Sequence, residues 1–153
     1  MKIMRVLGSS ERKYLQERLK AQYGVEDGFE EYVLIKAGQG RIRATTPEAL
    51  EVASKLRKVQ QIGLYVVKLV RSDVILSIEG SQLLNGKIKK NVIELSEPEA
   101  EDWMKASPIQ KPVKLGSRYV VARCGELYLG SGRASRDGRI YPQIAKWRRI
   151  PEE

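Results

Sequence analysis

Gly80-Ser81-Gln82-Leu83-Leu84-Asn85-Gly86-Lys87-Ile88 decides how this chain folds. The apolar pair Leu83-Leu84 lies between two glycines, with room for about two helical turns before Gly86 closes them. Strand signals stand on both sides: Val74-Ile75-Leu76-Ser77-Ile78 before it and Asn91-Val92-Ile93-Glu94-Leu95 after it. Both runs are rich in β-branched residues, which suit a pleated, half-buried surface. A short helix set between strands is therefore expected over 80–86.

Toward the N-terminus, the run from Ile62 to Val70 is apolar except at Lys68 and reads as a buried strand. It falls far short of the ~20 apolar residues of a membrane span. Thr46 is a good N-cap and Pro47 suits the first helical position. With Leu50, Ala53 and Leu56 at helical spacing, they predict a helix over 47–57. Glu31–Ile35 and Gly40–Ala44 flank Lys36-Ala37-Gly38-Gln39 and read as a hairpin. Ser9-Ser10-Glu11 opens a helix over 10–23 whose apolar residues Leu15, Leu19 and Tyr23 recur every fourth position, and Gly24 stops it.

Toward the C-terminus, Ser96 can cap a helix over 97–105 with Pro98 in its first turn and Trp103 in the core. Residues 108–112 read as a connector. Strands are expected at 118–123 and 127–133, joined at Cys124-Gly125-Glu126, and at 139–141 after an Asp137-Gly138 turn. Gly38-Gln39-Gly40 and Gly130-Ser131-Gly132 are glycine pairs that fit a turn or a bulge, and neither is a Walker-type phosphate loop. Helices early and strands late predict an α+β protein, with a small N-terminal α/β unit over 1–71 and a strand-rich unit over 72–153.

Charge is distributed very unevenly. Residues 105–150 hold Lys105, Lys111, Lys114, Arg118, Arg123, Arg133, Arg136, Arg139, Lys146, Arg148 and Arg149 against Glu126 and Asp137. That excess equals the whole net charge of +9, and the remainder of the chain balances. A concentrated field of one sign attracts polyanions, nucleic acid foremost. Three groups are the candidate contacts: Lys87, Lys89 and Lys90 after the short helix; Arg133, Arg136 and Arg139 around the Asp137-Gly138 turn; and Lys146, Arg148 and Arg149 flanking Trp147. Each group alone fits a solvated surface, whereas together, with acids missing, they favour binding. They are expected to converge on one face, with Arg118 and Arg123 elsewhere. Packing on the sheet to close the domain is the simpler role for Trp147, whereas an exposed ring there, or at Tyr141, could stack on an unpaired base.

Absences narrow the chemistry. The chain has no histidine and one cysteine. A histidine triad is impossible, a zinc site would have to rely on carboxylates, and no intramolecular disulfide can form. No metal or cofactor is expected. The opening Met1-Lys2-Ile3-Met4-Arg5 lacks the long apolar region of a signal peptide, so a cytoplasmic location is expected.

The stretch 80–88 resembles the signature helix of PUA domains: glycine, a small residue, two apolar residues, then glycine and a branched apolar residue. Leu115-Gly116-Ser117-Arg118-Tyr119-Val120-Val121-Ala122 resembles the family's glycine-led strand, and Glu126 through Ala134 resembles the next one with its bulge. The ending 137–149, together with 86–95, is similar to the C-terminal PUA-like region of Nop2/Sun-type RNA cytosine-C5 methyltransferases. The first half resembles the part that precedes the PUA domain in Nip-type ribosome-assembly factors. Gly116-Ser117 stands where many members have Gly-Asp, and the turn at 124–126 is short. The resemblance covers about residues 74–149. It implies a pre-PUA-like α/β domain followed by a PUA-like β pseudobarrel that binds structured RNA, with contacts along 80–90 and the neighbouring basic strands. It also implies rRNA or tRNA as partner, in RNA modification or ribosome biogenesis, beside an RNA methyltransferase or a pre-ribosomal particle; no membrane partner is expected, because no apolar run reaches the length of a membrane span.

A cytosine-C5 methyltransferase needs a cysteine nucleophile and a glycine-rich loop for S-adenosylmethionine. Cys124 lies in an expected tight turn with no proline before it and no cofactor loop in the chain, so a non-catalytic RNA-binding protein is expected. The alternatives are a protein–protein adaptor whose basic face meets an acidic partner, and a small RNA-modifying enzyme using Cys124.

Overall fold

The computed structural model describes residues 5–55, 62–112 and 118–151. Leu56 of the second expected helix, Lys114, and the Leu115-Gly116-Ser117 opening of the glycine-led strand lie outside these residues.

The described residues form two five-stranded sheets. The first is an antiparallel meander: β1 (Arg5–Val6), β2 (Val33–Lys36), β3 (Arg41–Thr45), β4 (Leu64–Val70) and β5 (Asp73–Leu76), side by side in chain order. The second runs β6 (Val92–Glu94), β8 (Tyr119–Cys124), β9 (Leu127–Ala134), β10 (Arg139–Pro142), β7 (Ile109–Gln110), with β6 parallel to β8 and the other pairs antiparallel. Four helices complete a mixed α/β fold among the described residues: α1 (Ser9–Tyr23), α2 (Pro47–Ser54), α3 (Ile78–Leu83) and α4 (Glu97–Met104).

Local chemistry explains most boundaries. At the start of α1 the Glu11 carboxylate accepts a hydrogen bond from the Gly8 N–H at 3.1 Å, and Gly24 in the left-handed conformation (φ 67°) ends the helix. Thr46 caps α2 by accepting from Ala49 N–H at 3.1 Å. Ser96 and Glu99 form a reciprocal capping box on α4. The strand expected at 74–78 ends at Leu76, because Ser77 instead caps a helix by accepting from Gly80 N–H at 2.9 Å. The two-turn helix thus begins at Ile78 rather than at 80. The connector at 108–112 contains a strand, β7, paired with β10.

Two apolar cores result among the described residues. The first packs Leu15, Leu19 and Tyr23 of α1 against the first sheet and against Val121 and Tyr128 of the second. The second gathers Val120, Ala122, Leu129 and Ile140 under Trp103 of α4. Trp103 is fully buried, as expected, and its indole N–H donates to Leu129 O at 2.9 Å. The division expected at 71/72 falls in the turn between β4 and β5, and β5 completes the first sheet.

Gly130-Ser131-Gly132 lies inside β9 and serves three separate purposes. Gly130, at φ 82°, sits at the register shift where β9 bulges against β8. Gly132 leaves space for the Trp103 ring, which a Cβ would overlap. Ser131 is fully buried and joins the two sheets. Its Oγ accepts from Leu76 N–H at 2.9 Å and lies 2.7 Å from the Tyr23 hydroxyl. That hydroxyl donates to Val74 O at 2.7 Å, so the Ser131 hydrogen points to Tyr23. Gln22 completes the arrangement. Its amide accepts from Val74 N–H at 2.8 Å and donates to Val74 O at 2.7 Å, occupying the edge of β5 as a neighbouring strand would.

Candidate nucleic-acid interface

The basic side chains belong to distinct surfaces. A groove of about 530 Å³ runs between the outer face of the first sheet and the segment that follows β10. Arg41 of β3 and Lys68 of β4 supply one wall, beside Tyr65, and Lys146, Trp147 and Arg149 supply the other. Tyr119 of β8 lies in the groove lining as well. Arg41 and Lys68 stand directly opposite each other in the antiparallel register. The Arg41 guanidinium lies 5.6 Å from the centre of the Tyr65 ring, and its buried Nε has no hydrogen-bond partner among the described residues. Burial raises the Tyr65 phenol above its ordinary value, and the Arg41 charge opposes that shift. No carboxylate is among the described residues lining the groove, and Arg41, Lys68, Lys146 and Arg149 form no ion pair among the described residues.

Arg133 extends this surface. It lies opposite both Tyr119 and Tyr141 in the second sheet, with its guanidinium 4.8 Å from the centre of the Tyr141 ring, a cation–π contact. Burial and Asp73 raise the Tyr119 phenol, with Arg133 opposing them, so the arginine acts electrostatically on a groove residue.

Trp147 is 66% exposed. Packing on the sheet is therefore not its role, and the reason is visible on both sides of it. Arg148 Nε forms an ion pair with the Glu79 carboxylate at 3.0 Å, Arg149 Nε donates to Ile144 O at 3.0 Å, and Ile150 N–H donates to Met104 O at 2.9 Å. The turn is fastened through its neighbours, which leaves the indole on the groove rim.

The other candidates lie apart from the groove lining. Arg136 and Arg139 line a smaller depression of about 170 Å³ with Lys111. There Asp137 accepts from the Ser135 hydroxyl and from Arg139 N–H, fixing the turn. Lys87, Lys89 and Lys90 gather at the C-terminal end of α1. The Lys89 and Lys90 N–H groups both donate to Tyr23 O, at 2.8 and 3.2 Å, and Lys87 Nζ donates to Asp27 O at 2.8 Å. Cations at a helix C-terminus are favourable, so this group has a structural role of its own. Arg123 pairs with Glu94.

Arg41, Tyr65, Lys68 and Tyr119 are not among the residues that charge clustering singles out. One signal for them exists: Arg41 and Arg43 alternate with Ile42 and Ala44, the period-2 pattern of a strand with one charged face. Lys68 breaks an apolar run for the same reason.

Cys124 ends β8 half-buried, against the second core. No group of acidic or cysteine side chains among the described residues could hold a metal, and no helix among them is long and apolar enough to cross a membrane. No protein-family model matches the chain, and no curated protein sequence matches it.

Proposed function

We propose that this chain is a non-catalytic, stand-alone RNA-binding protein of the PUA type, acting in the cytoplasm on structured rRNA or tRNA during RNA modification or ribosome biogenesis. On this proposal residues 1–71 form a pre-PUA-like domain and 72–153 a PUA-like pseudobarrel, and no cofactor takes part. The observation that carries it is the groove in which Arg41, Lys68, Lys146 and Arg149 meet exposed aromatic surface without a neutralising carboxylate among the described residues. Elsewhere the basic residues Arg5, Lys111, Arg123 and Arg148 each pair with an acid. Cations left unpaired on one surface repel one another, and a phosphate backbone removes that repulsion while releasing its own counterions.

The test is a salt series of RNA affinity, measured by fluorescence anisotropy with an rRNA or tRNA fragment. Four phosphate contacts to an unpaired strand give a log–log slope of about −3, at roughly −0.7 per contact. A slope near zero removes the phosphate model. Co-purification with a protein that survives nuclease treatment, with no direct RNA affinity, would favour an adaptor instead.

A further inference from the structure

Resting on that RNA-binding reading, we propose a narrower ligand: the groove takes an unpaired, single-stranded RNA segment, with a base stacked on Trp147 and neighbouring phosphates against Arg41, Lys68 and Arg149.

Three observations carry this. The first is the indole itself. A large aromatic side chain 66% exposed on a turn fastened on both sides is a preformed platform rather than a mobile tail. Such a platform needs a free aromatic face, which a duplex interior does not offer because its bases stack on one another. An unpaired base offers one whatever its identity. The second is the pair Arg41 and Lys68. Like charges directly opposite in an antiparallel pair are destabilising, and no ion pair relieves them among the described residues. A phosphate between them turns that repulsion into two attractions. The third is size. At about 530 Å³ the groove falls within the range of sites that hold drug-sized ligands, roughly 300–1,000 Å³, and a nucleotide is of that order.

The experiment is a tryptophan-fluorescence titration of the intact protein with a mixed-sequence single-stranded RNA decamer and, separately, with the blunt duplex it forms with its complement. Trp103 is fully buried, so quenching by a ligand reports Trp147, and unchanged Trp103 emission shows that each variant has folded. The single strand should quench and the duplex should not. Measured by the fluorescence anisotropy of a labelled decamer, because these variants lack the reporting indole, Trp147→Ala should weaken single-strand binding about 5- to 150-fold, with Trp147→Phe recovering most of the loss. Arg41→Gln with Lys68→Gln should flatten the salt slope by about 1.4, at roughly 0.7 per contact. If RNA binds with a steep salt slope but Trp147→Ala changes affinity less than twofold, or if the duplex quenches as the single strand does, this inference fails and RNA binding stands. Polyglutamate competing as well as RNA, independently of Trp147, would overturn it in favour of an acidic protein partner. No affinity for any RNA overturns both proposals.

Discussion

Replacing Ser131 with alanine tests how the two sheets are held together. The Ser131 hydroxyl sits in an ordered relay: Leu76 N–H donates to Ser131 Oγ, Ser131 donates to the Tyr23 oxygen, and Tyr23 donates to Val74 O. These groups are buried, and the two hydroxyls are separated by 108 residues of chain. Ser131→Ala leaves the Leu76 N–H without a partner away from water, which costs about 1–3 kcal/mol, and removes a hydrogen bond to Tyr23 worth about 1 kcal/mol. The sum, about 2–4 kcal/mol, is a large share of the roughly 5–15 kcal/mol that holds a domain of this kind together. Tyr23→Phe should cost less, about 1–2 kcal/mol, because Val74 O keeps the Gln22 amide at 2.7 Å. Urea denaturation followed by far-ultraviolet circular dichroism measures both variants and the double mutant. The hydroxyls interact directly, so the cycle should show a coupling of about 1 kcal/mol. A Ser131→Ala cost below about 0.5 kcal/mol, or strictly additive effects, would refute the relay as a joint between the sheets.

Gly132→Ala places a methyl group on the Trp103 ring and 2.8 Å from Ile140, so it should destabilise by about 1–3 kcal/mol and alter the near-ultraviolet dichroism of the buried indole; wild-type stability would mean that the ring can move aside. Gln22→Leu keeps the side-chain volume but strips the clamp from the β5 edge, leaving Val74 N–H unpaired; a loss of about 1–3 kcal/mol is expected, with faster hydrogen exchange at that amide. Burial holds the Tyr23 phenol above its ordinary value of 10.0, so its contribution to stability is complete below pH 10 and declines as pH rises beyond it, while the unfolded chain ionises first. Phenolate absorbance from Tyr23 should therefore emerge only with unfolding, and Tyr23→Phe should lessen the alkaline loss; ionisation of all seven tyrosines before unfolding would contradict this.

Features that depend on a few neighbouring residues are legible in the amino-acid sequence. Thr46-Pro47, Ser96 with Glu99, and Gly24 mark helix ends because a cap and its N–H lie within one turn of chain. Apolar spacing likewise announces α1, the hairpin and the mixed α and β content. Sequence and structure part where one local signal competes with another. Ser77 looks like the middle of a β-branched run, yet its hydroxyl is better used as a cap.

The unequal charge, the absence of histidine chemistry and the succession of short elements follow from the sequence alone, since composition and periodicity need no partner. Which cations act together is a matter of tertiary packing. Arg41 and Lys68 belong to the charge-balanced part of the chain, yet pairing of β3 with β4 sets them across from Lys146 and Arg149. Arg136, Arg139 and the three lysines at 87–90, conspicuous in the sequence, line other surfaces. Trp147 shows the same division: its identity is plain from the chain, but its exposure depends on Arg148 reaching Glu79 and Ile150 reaching Met104. Contacts between residues far apart in the chain are set by how the sheets pack, and no local pattern encodes them.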